Sequence, residues 1–101
     1  MDLSDRACVV VGLISDTHGF IDPSLLPVLA STDVIIHAGD IIDPKVLTEP
    51  APRTGHVLTV RGNNDTPTQW PSGTEHLLAN LPLQCSLKLP GGLLVTEHGH
   101  K

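Results

Sequence analysis

The sequence predicts an α/β fold in which a parallel β-sheet carries helices on its faces. Short apolar runs rich in β-branched residues alternate with segments that begin like helices, and the order is β-α-β-α-β followed by a β-hairpin. A chain of 101 residues with 40% hydrophobic and 17% charged residues is long enough for one domain with a small core. We therefore expect residues 1–101 to form a single domain or part of one.

Local signals place the individual elements. The first apolar run is continuous, which is typical of a strand buried on both faces. Asp22 before Pro23, and Asp43 before Pro44, each combine a helix-capping side chain with a proline suited to the first helical position. The predicted strands are residues 7–14, 34–38, 57–60, 85–89 and 93–96. The predicted helices are residues 23–31 and 45–48, with a loop at 66–76 and one helical turn at 77–81.

Composition excludes several classes of function. The net charge is −5 and the six Lys and Arg residues are scattered, so the chain has no basic stripe for nucleic acid. One Trp, one Phe and no Tyr leave no platform on which bases could stack. The longest apolar run, residues 8–14, is far shorter than the about 18 residues of a membrane span. The acidic N-terminal residues differ from a signal or transit peptide, so we expect a cytoplasmic protein without membrane contact.

The two cysteines, Cys8 and Cys85, are not arranged for metal binding or redox chemistry, because no C-x-x-C spacing is present. Each lies in a segment predicted as a strand. We expect both to be buried, reduced thiols of a cytosolic protein.

Polar residues follow four of the strands at the point where each apolar run ends. In an open parallel sheet, ligands bind outside the carboxyl ends of the strands. If these four strands lie side by side, their polar ends converge on one crevice. The residues concerned are Asp16 and His18 after the first strand, Asp40 after the second, Asn63 and Asp65 after the third, and His98 and His100 after the last.

This cluster has the composition of a metal site. Carboxylates that lie close together repel one another and take up protons unless a cation offsets their charge. Oxygen and imidazole ligands without a thiolate favour Mn, Fe, Ni or Zn over Ca or Mg. The ligands are too many for one tetrahedral zinc, and two metals that share a carboxylate would account for them. Three histidines are left out: His37 is interpreted as a core or edge histidine, and His56 and His76 as surface residues.

Other classes of active site lack their sequence signatures. No G-x-G-x-x-G follows the first strand, no Gly-Lys-Ser/Thr phosphate loop is present, and Ser15 has no base at a suitable spacing. A flavodoxin-like domain with acidic turns is a further alternative, which His98 and His100 disfavour.

The four motifs together resemble those of a known superfamily. Asp16-Thr17-His18, Gly39-Asp40, Gly62-Asn63-Asn64-Asp65 and His98-Gly99-His100 are similar, in type and order, to the successive motifs of the calcineurin-like metallophosphoesterases. Ser-Asp-Thr-His-Gly, Ile-His-Ala-Gly-Asp and Gly-Asn-Asn-Asp resemble in particular the small bacterial and archaeal phosphodiesterases, a subgroup that includes the retromer scaffold subunit of eukaryotes.

The resemblance implies an αββα sandwich, of which this chain carries the N-terminal part. It implies two divalent metal ions, with Mn²⁺ as the first choice and Ni²⁺, Fe²⁺ or Zn²⁺ as alternatives. The implied activity is hydrolysis of a small phosphate ester, a phosphodiester in the first place, through a hydroxide that bridges the metals. By position, Asp16 and His18 bind the first metal, Asp40 bridges both, and Asn63 and His98 bind the second.

Three further positions receive roles from the resemblance. Asn64 stands where many relatives have a histidine that contacts the phosphate, which makes it a candidate for substrate contact and for catalysis. His100 is the second candidate for both roles. Asp65 is expected to orient the Asn63 loop rather than to bind metal.

Relatives carry a later Gly-His-x-His motif and several further strands, which this sequence does not contain. The resemblance therefore predicts a domain whose C-terminal part is missing, with unpaired sheet edges that can pair with another chain. Each metal has one histidine fewer, so we expect weak metal binding and little turnover from the 101 residues. The retromer subunit represents the alternative, a protein-binding scaffold on the same fold without catalysis.

Overall fold

A computed structural model describes residues 1–98 and has the predicted mixed α/β fold. Its strands are β1 (Val11–Ile14), β2 (Val34–His37), β3 (Val57–Thr59), β4 (Gln84–Leu89) and β5 (Gly92–Glu97). Its helices are α1 (Leu26–Ala30), preceded by a 3-10 turn at Pro23–Leu25, α2 (Lys45–Thr48) and α3 (Glu75–Ala79). The strands β1, β2 and β3 form a parallel sheet in that order, and β4 and β5 form an antiparallel hairpin.

The central strand β2 lies between a helical layer and the hairpin. Successive side chains of a strand point to opposite faces of its sheet. Ile35 lies in a core cluster with Leu29 of α1, whereas Val34 and Ile36 pack with Leu87 of the hairpin. All four residues of β2 are fully buried. The layers of helices, parallel sheet and hairpin are those expected of the N-terminal part of an αββα sandwich.

The Asp22 cap is confirmed at the 3-10 turn, and the second helix has the predicted bounds, but its N-cap residue is Pro44 rather than Asp43. The Asp22 carboxylate accepts a 3.0 Å hydrogen bond from the Ser24 N–H, and the Asp43 carboxylate accepts one of 3.0 Å from the Lys45 N–H. Each bond satisfies a backbone donor that the first turn of a helix leaves free. The third helix begins at Glu75, within the segment predicted as a loop. No helix of residues 1–98 is long and apolar enough to cross a membrane.

The first strand is shorter and more exposed than the sequence predicts. It begins at Val11 rather than at residue 7, and its pairing with the neighbouring strand begins at Val34. The Val10 N–H instead donates a 2.8 Å hydrogen bond to the Asp33 carboxylate. The prediction of burial on both faces is also wrong: Leu13 is 66% exposed, because β1 lies at the edge of its sheet.

The four strands that carry the polar ends do not all lie side by side. Within residues 1–98, β5 pairs with β4 in a second sheet, which packs across the face of the first. The end of β5 nevertheless reaches the carboxyl end of the parallel sheet. His98, the next residue, has its Nδ1 atom 2.8 Å from the carbonyl oxygen of Ala38, which directly follows β2.

The two thiols are less buried than expected. Cys8 is exposed, because it precedes β1 and lies outside the sheet. Cys85 is half-buried in β4, and burial raises the pKa of its thiol. Both thiols are free. His56 and His76 lie at the surface, as the sequence predicts.

Truncation of Leu87 tests how much the contact between hairpin and sheet contributes to stability. Leu87 is fully buried, so we expect Leu87→Ala to lower the free energy of unfolding by about 2–5 kcal/mol. Leu93 of the same hairpin is 60% exposed. Leu93→Ala should change the free energy by less than about 0.5 kcal/mol. Urea denaturation followed by circular dichroism measures both, and equal effects of the two substitutions would contradict this packing.

Candidate metal centre

The loops that follow β1 and β2 bring three potential metal ligands together. One carboxylate oxygen of Asp16, one imidazole nitrogen of His18 and one carboxylate oxygen of Asp40 all lie within 4.8 Å of one another. Asp40 is buried, whereas Asp16 and His18 are exposed, so the group is open to solvent on one side. Two oxygens and one nitrogen form a ligand set that divalent transition metals accept.

The backbone of these loops is unusual at the ligand positions themselves. Within residues 1–98, the non-glycine residues with positive φ are Asp16, His18, Asp40 and Ile42. Such conformations cost about 1–3 kcal/mol each and persist where surrounding contacts enforce them. Here the Asp16 N–H donates to the Gly39 carbonyl (2.9 Å) and the His18 N–H to the Asp40 carbonyl (3.2 Å). These bonds join the two loops, and strain of this kind is typical of functional sites.

His98 and Asn63 add a second group of ligand atoms around Asp40. His98 Nε2 lies 3.8 Å from Asp40 Oδ2, the same distance as His18 Nε2. His98 Nε2 also lies 2.8 Å from Asn63 Oδ1. One oxygen of Asp40 is therefore close to an imidazole from the β1 loop and to an imidazole from the end of β5. This is the place that a carboxylate shared by two cations would take.

The hydrogen bonds of His98 direct its Nε2 atom toward this second group. Nδ1 lies 2.8 Å from the Ala38 carbonyl oxygen, which can only accept, so Nδ1 carries the hydrogen. In the neutral ring Nε2 then presents a lone pair, which faces a second acceptor, Asn63 Oδ1. A divalent cation bound by both atoms would remove this repulsion between lone pairs. Metal-binding histidines commonly donate their other N–H to a backbone carbonyl in this way.

The carboxylate of Asp65 organises the loop that carries Asp40. Asp65 is fully buried and accepts five hydrogen bonds of 2.7–3.0 Å. The donors are the backbone N–H groups of Asp40, Ile41, Ile42 and Gly62 and the indole N–H of Trp70. Because both carboxylate oxygens accept at least two of these bonds, Asp65 holds the neighbouring loop in one conformation.

Asn64 contacts Asp40 with two N–H groups. Its backbone N–H donates to Asp40 Oδ1 (2.9 Å) and its side-chain amide donates to Asp40 Oδ2 (3.0 Å). Asn64 is therefore placed beside a candidate ligand, whose carboxylate it holds in one orientation. The other residue predicted to contact substrate, His100, lies outside the described residues.

Two glycines allow the loops to approach one another. A Cβ atom at Gly39, where φ is +111°, would lie 2.6 Å from His98 Nδ1. A Cβ atom at Gly62 would overlap the backbone nitrogen and the carboxylate of Asp40. The glycines that precede Asp40 and Asn63 are therefore required by the close packing of the site.

The negative charge of Asp16 is stabilised within its own loop. The Ser15 hydroxyl donates a 2.6 Å hydrogen bond to Asp16 Oδ2. This bond is the main cause that lowers the pKa of the Asp16 carboxyl, although partial desolvation acts in the opposite direction. Asp16 is therefore an anion, the form that binds a cation, throughout the neutral range.

Two residues of the core support the site in ways that sequence reasoning missed. Trp70 lies in a segment that the sequence predicts as a loop, but its ring is buried and its indole N–H reaches Asp65. A large apolar ring within a polar segment is the one local feature of the sequence that indicates this contact with Asp65. The interpretation of His37 as a core histidine is confirmed, since it is fully buried with both ring nitrogens hydrogen-bonded. The sequence carries no sign that its partners belong to the ligand loops.

A parallel sheet whose carboxyl end gathers aspartate, histidine and asparagine side chains, with a hairpin packed on its face, defines an α/β domain with a candidate metal site. The family model of the calcineurin-like phosphoesterase superfamily domain matches residues 9–101. The chain belongs to this superfamily. No curated protein and no solved structure matches the chain. The resemblance carried by the four motifs is thus confirmed for the superfamily, and the phosphodiesterase subgroup stays a prediction.

Asp65→Asn tests the role of the buried carboxylate. The amide nitrogen replaces an acceptor oxygen and faces at least two N–H donors, each of which costs about 1–3 kcal/mol when left without a partner. We expect a loss of several kcal/mol in the free energy of unfolding, measured by urea denaturation. Asp5→Asn, at an exposed position, is the matched control and should change it by less than about 0.5 kcal/mol. Similar stabilities of the two variants would contradict the assignment.

Ser15→Ala tests the origin of the Asp16 charge. Loss of the hydroxyl donor should raise the pKa of the Asp16 carboxyl toward its ordinary value of 3.8. The pKa of Asp22 is lowered by hydrogen bonds from Ser24 and should not change. A carboxyl-carbon NMR titration of the metal-free protein measures both groups at once. An unchanged Asp16 titration would show that Ser15 does not control it.

Proposed function

We propose that this chain is a metal-dependent phosphoester hydrolase domain, which its membership of the calcineurin-like phosphoesterase superfamily supports. The observation that carries the proposal is the position of Asp40 Oδ2, 3.8 Å from both His18 Nε2 and His98 Nε2. A carboxylate oxygen between two imidazoles suits a pair of divalent ions that share one ligand.

Two overlapping groups of residues would hold two ions. The first group is Asp16, His18 and Asp40, and the second is Asp40, Asn63 and His98. Mn²⁺ is the proposed ion, with Ni²⁺, Fe²⁺ or Zn²⁺ as alternatives, because the donors are oxygen and imidazole nitrogen. Such ions, when bound, polarise the phosphoryl group and lower the pKa of water so that it becomes a nucleophile at neutral pH.

The protein's own residues hold the ligands in position. Asn64 donates one hydrogen bond to each oxygen of Asp40, which fixes the plane of the carboxylate. The Ala38 carbonyl accepts from His98 Nδ1 and directs the lone pair of Nε2 toward the site. Ligands that are oriented in advance bind a cation more tightly, because less freedom is lost on binding.

The proposed substrate is a small phosphoester, with a phosphodiester as the first candidate. Asp16, His18 and Asn63 are exposed, so a small molecule has direct access to the candidate ligands. A net charge of −5 disfavours a long polyanion such as nucleic acid. Asn64 and His100 are the proposed contacts to the phosphate, and the polarised amide of Asn64 is a suitable donor for one of its oxygens.

Asp40→Asn tests the proposal, with Mn²⁺ binding measured by isothermal titration calorimetry. The wild-type chain should bind Mn²⁺, and the neutral amide should weaken binding by more than the 10- to 100-fold that is typical of residues around a metal site. Glu49→Gln, at an exposed position outside the site, should bind as the wild type does. Thermal unfolding of both variants shows whether the fold is kept. Equal Mn²⁺ affinity of a folded Asp40→Asn variant and the wild type would overturn the proposed site.

Turnover is a separate measurement on the same proteins, with bis(p-nitrophenyl) phosphate as the phosphodiester. We expect a low rate, because each proposed ion has only three side-chain ligands among the described residues. Whatever rate is present should depend on added Mn²⁺ and be lost in Asp40→Asn. A rate that is independent of the metal would contradict the proposed chemistry.

A further inference from the structure

His37 is a fully buried imidazole at the end of β2 that lies between the two loops of candidate ligands. Its Nε2 atom is 3.0 Å from the hydroxyl oxygen of Thr17, in the loop after β1. Its Nδ1 atom accepts a 3.1 Å hydrogen bond from the N–H of Gly39, in the loop after β2. One side chain thus connects both loops from the core side.

The hydrogen bonds define the form of the ring. The Gly39 N–H can only donate, so Nδ1 carries no hydrogen and the neutral ring has its hydrogen on Nε2. The Nε2–H group then donates to the Thr17 hydroxyl. Because both nitrogens are engaged, His37 has no atom left for a metal. Burial lowers the pKa of His37 against the opposing effect of the nearby carboxylates of Asp65, Asp16 and Asp40, which keeps the ring neutral.

The two partners of His37 are next to the candidate ligands in the chain. Thr17 stands between Asp16 and His18, whose φ angles are 54° and 49°. Gly39 directly precedes Asp40, whose φ angle is 57°. A strained segment keeps its conformation only when its surroundings enforce it. A hydrogen bond at Thr17 acts on the residue that joins two strained positions, where it constrains both.

We propose that His37 is a positioning residue of the metal centre, which fixes the distance between the two ligand loops through Thr17 and the Gly39 N–H. This inference rests on the proposed function, since it takes Asp16, His18 and Asp40 as metal ligands. Partners of this kind, which orient ligands without touching the metal, typically contribute 10- to 100-fold to metal affinity. The structure thereby gives a role to the histidine of the Ile-His-Ala-Gly-Asp segment, which sequence reasoning left out of the candidate ligands.

Removal of the Thr17 hydroxyl is the test that disturbs the fold least, because Thr17 is only partly buried and Val has nearly the same shape. We expect Thr17→Val to weaken Mn²⁺ binding about tenfold, and Thr17→Ser, which keeps the hydroxyl, to bind nearly as the wild type does. His37→Asn keeps an acceptor for the Gly39 N–H but is too short to reach Thr17, so it should resemble Thr17→Val. His56→Asn, at an exposed position, is the control for loss of a histidine.

The double variant separates positioning from general damage. If His37 acts through Thr17, then Thr17→Val combined with His37→Asn should bind Mn²⁺ about as weakly as either single variant. Long-range ¹H–¹⁵N NMR spectra of the metal-free protein report the ring form directly. They should show the hydrogen of His37 on Nε2, with a resonance that shifts in Thr17→Val and not in Thr17→Ser.

The outcomes are distinguishable. A wild-type chain that binds no Mn²⁺ overturns the proposed function and this inference with it. Wild-type binding with unchanged affinity in folded Thr17→Val overturns the inference alone. Binding in Thr17→Ser that is as weak as in Thr17→Val, or additive losses in the double variant, also contradicts it, because the hydroxyl contact would then not carry the effect.

Discussion

Five N–H groups converge on the buried carboxylate of Asp65, and the geometry of the candidate site follows from this contact. A buried carboxylate is costly without partners, so the native fold has to bring these donors together. Three of the donors, the N–H groups of Asp40, Ile41 and Ile42, belong to a loop in which two non-glycine residues have positive φ. Asp65 thereby stabilises a backbone path that the loop would not adopt alone, and along this path Asp40 meets the other candidate ligands.

The ligand loops are also ordered by one another, which explains how short loops on a small core can hold a defined site. Backbone hydrogen bonds connect the loop after β1 to the loop after β2. Asn64, in the loop after β3, donates two hydrogen bonds to the Asp40 carboxylate. Beneath them His37 occupies the space between the loops with a neutral, fully hydrogen-bonded ring. The candidate ligands with a positive φ are therefore each held by a backbone hydrogen bond to a neighbouring loop. This relation is expected where a site is ordered before its ligand binds.

The contact between the two sheets links core packing to the chemistry of the site. His98 comes from the end of the hairpin, whereas Asn63 follows β3 of the parallel sheet, and their side chains meet at 2.8 Å. The hairpin reaches this position because Leu87 packs against Val34 and Ile36. The second group of candidate ligands is therefore complete only when the apolar interface between the sheets is formed. In this protein the hydrophobic contact that stabilises the fold also sets a distance between ligands.

Local chemistry determines those parts of the protein that depend on near neighbours in the chain. The carboxylates of Asp22 and Asp43 accept hydrogen bonds from residues two positions later, so these turns follow from the sequence, and the polar ends of the strands indicate the candidate ligands. Tertiary structure decides burial and partners. Leu13 and Ile36 are both apolar strand residues, but one is 66% exposed at an edge and the other is fully buried in the central strand. The hydropathy of a strand does not indicate which strands lie next to it. For the same reason, the sequence did not predict that His98 follows a strand of a second sheet.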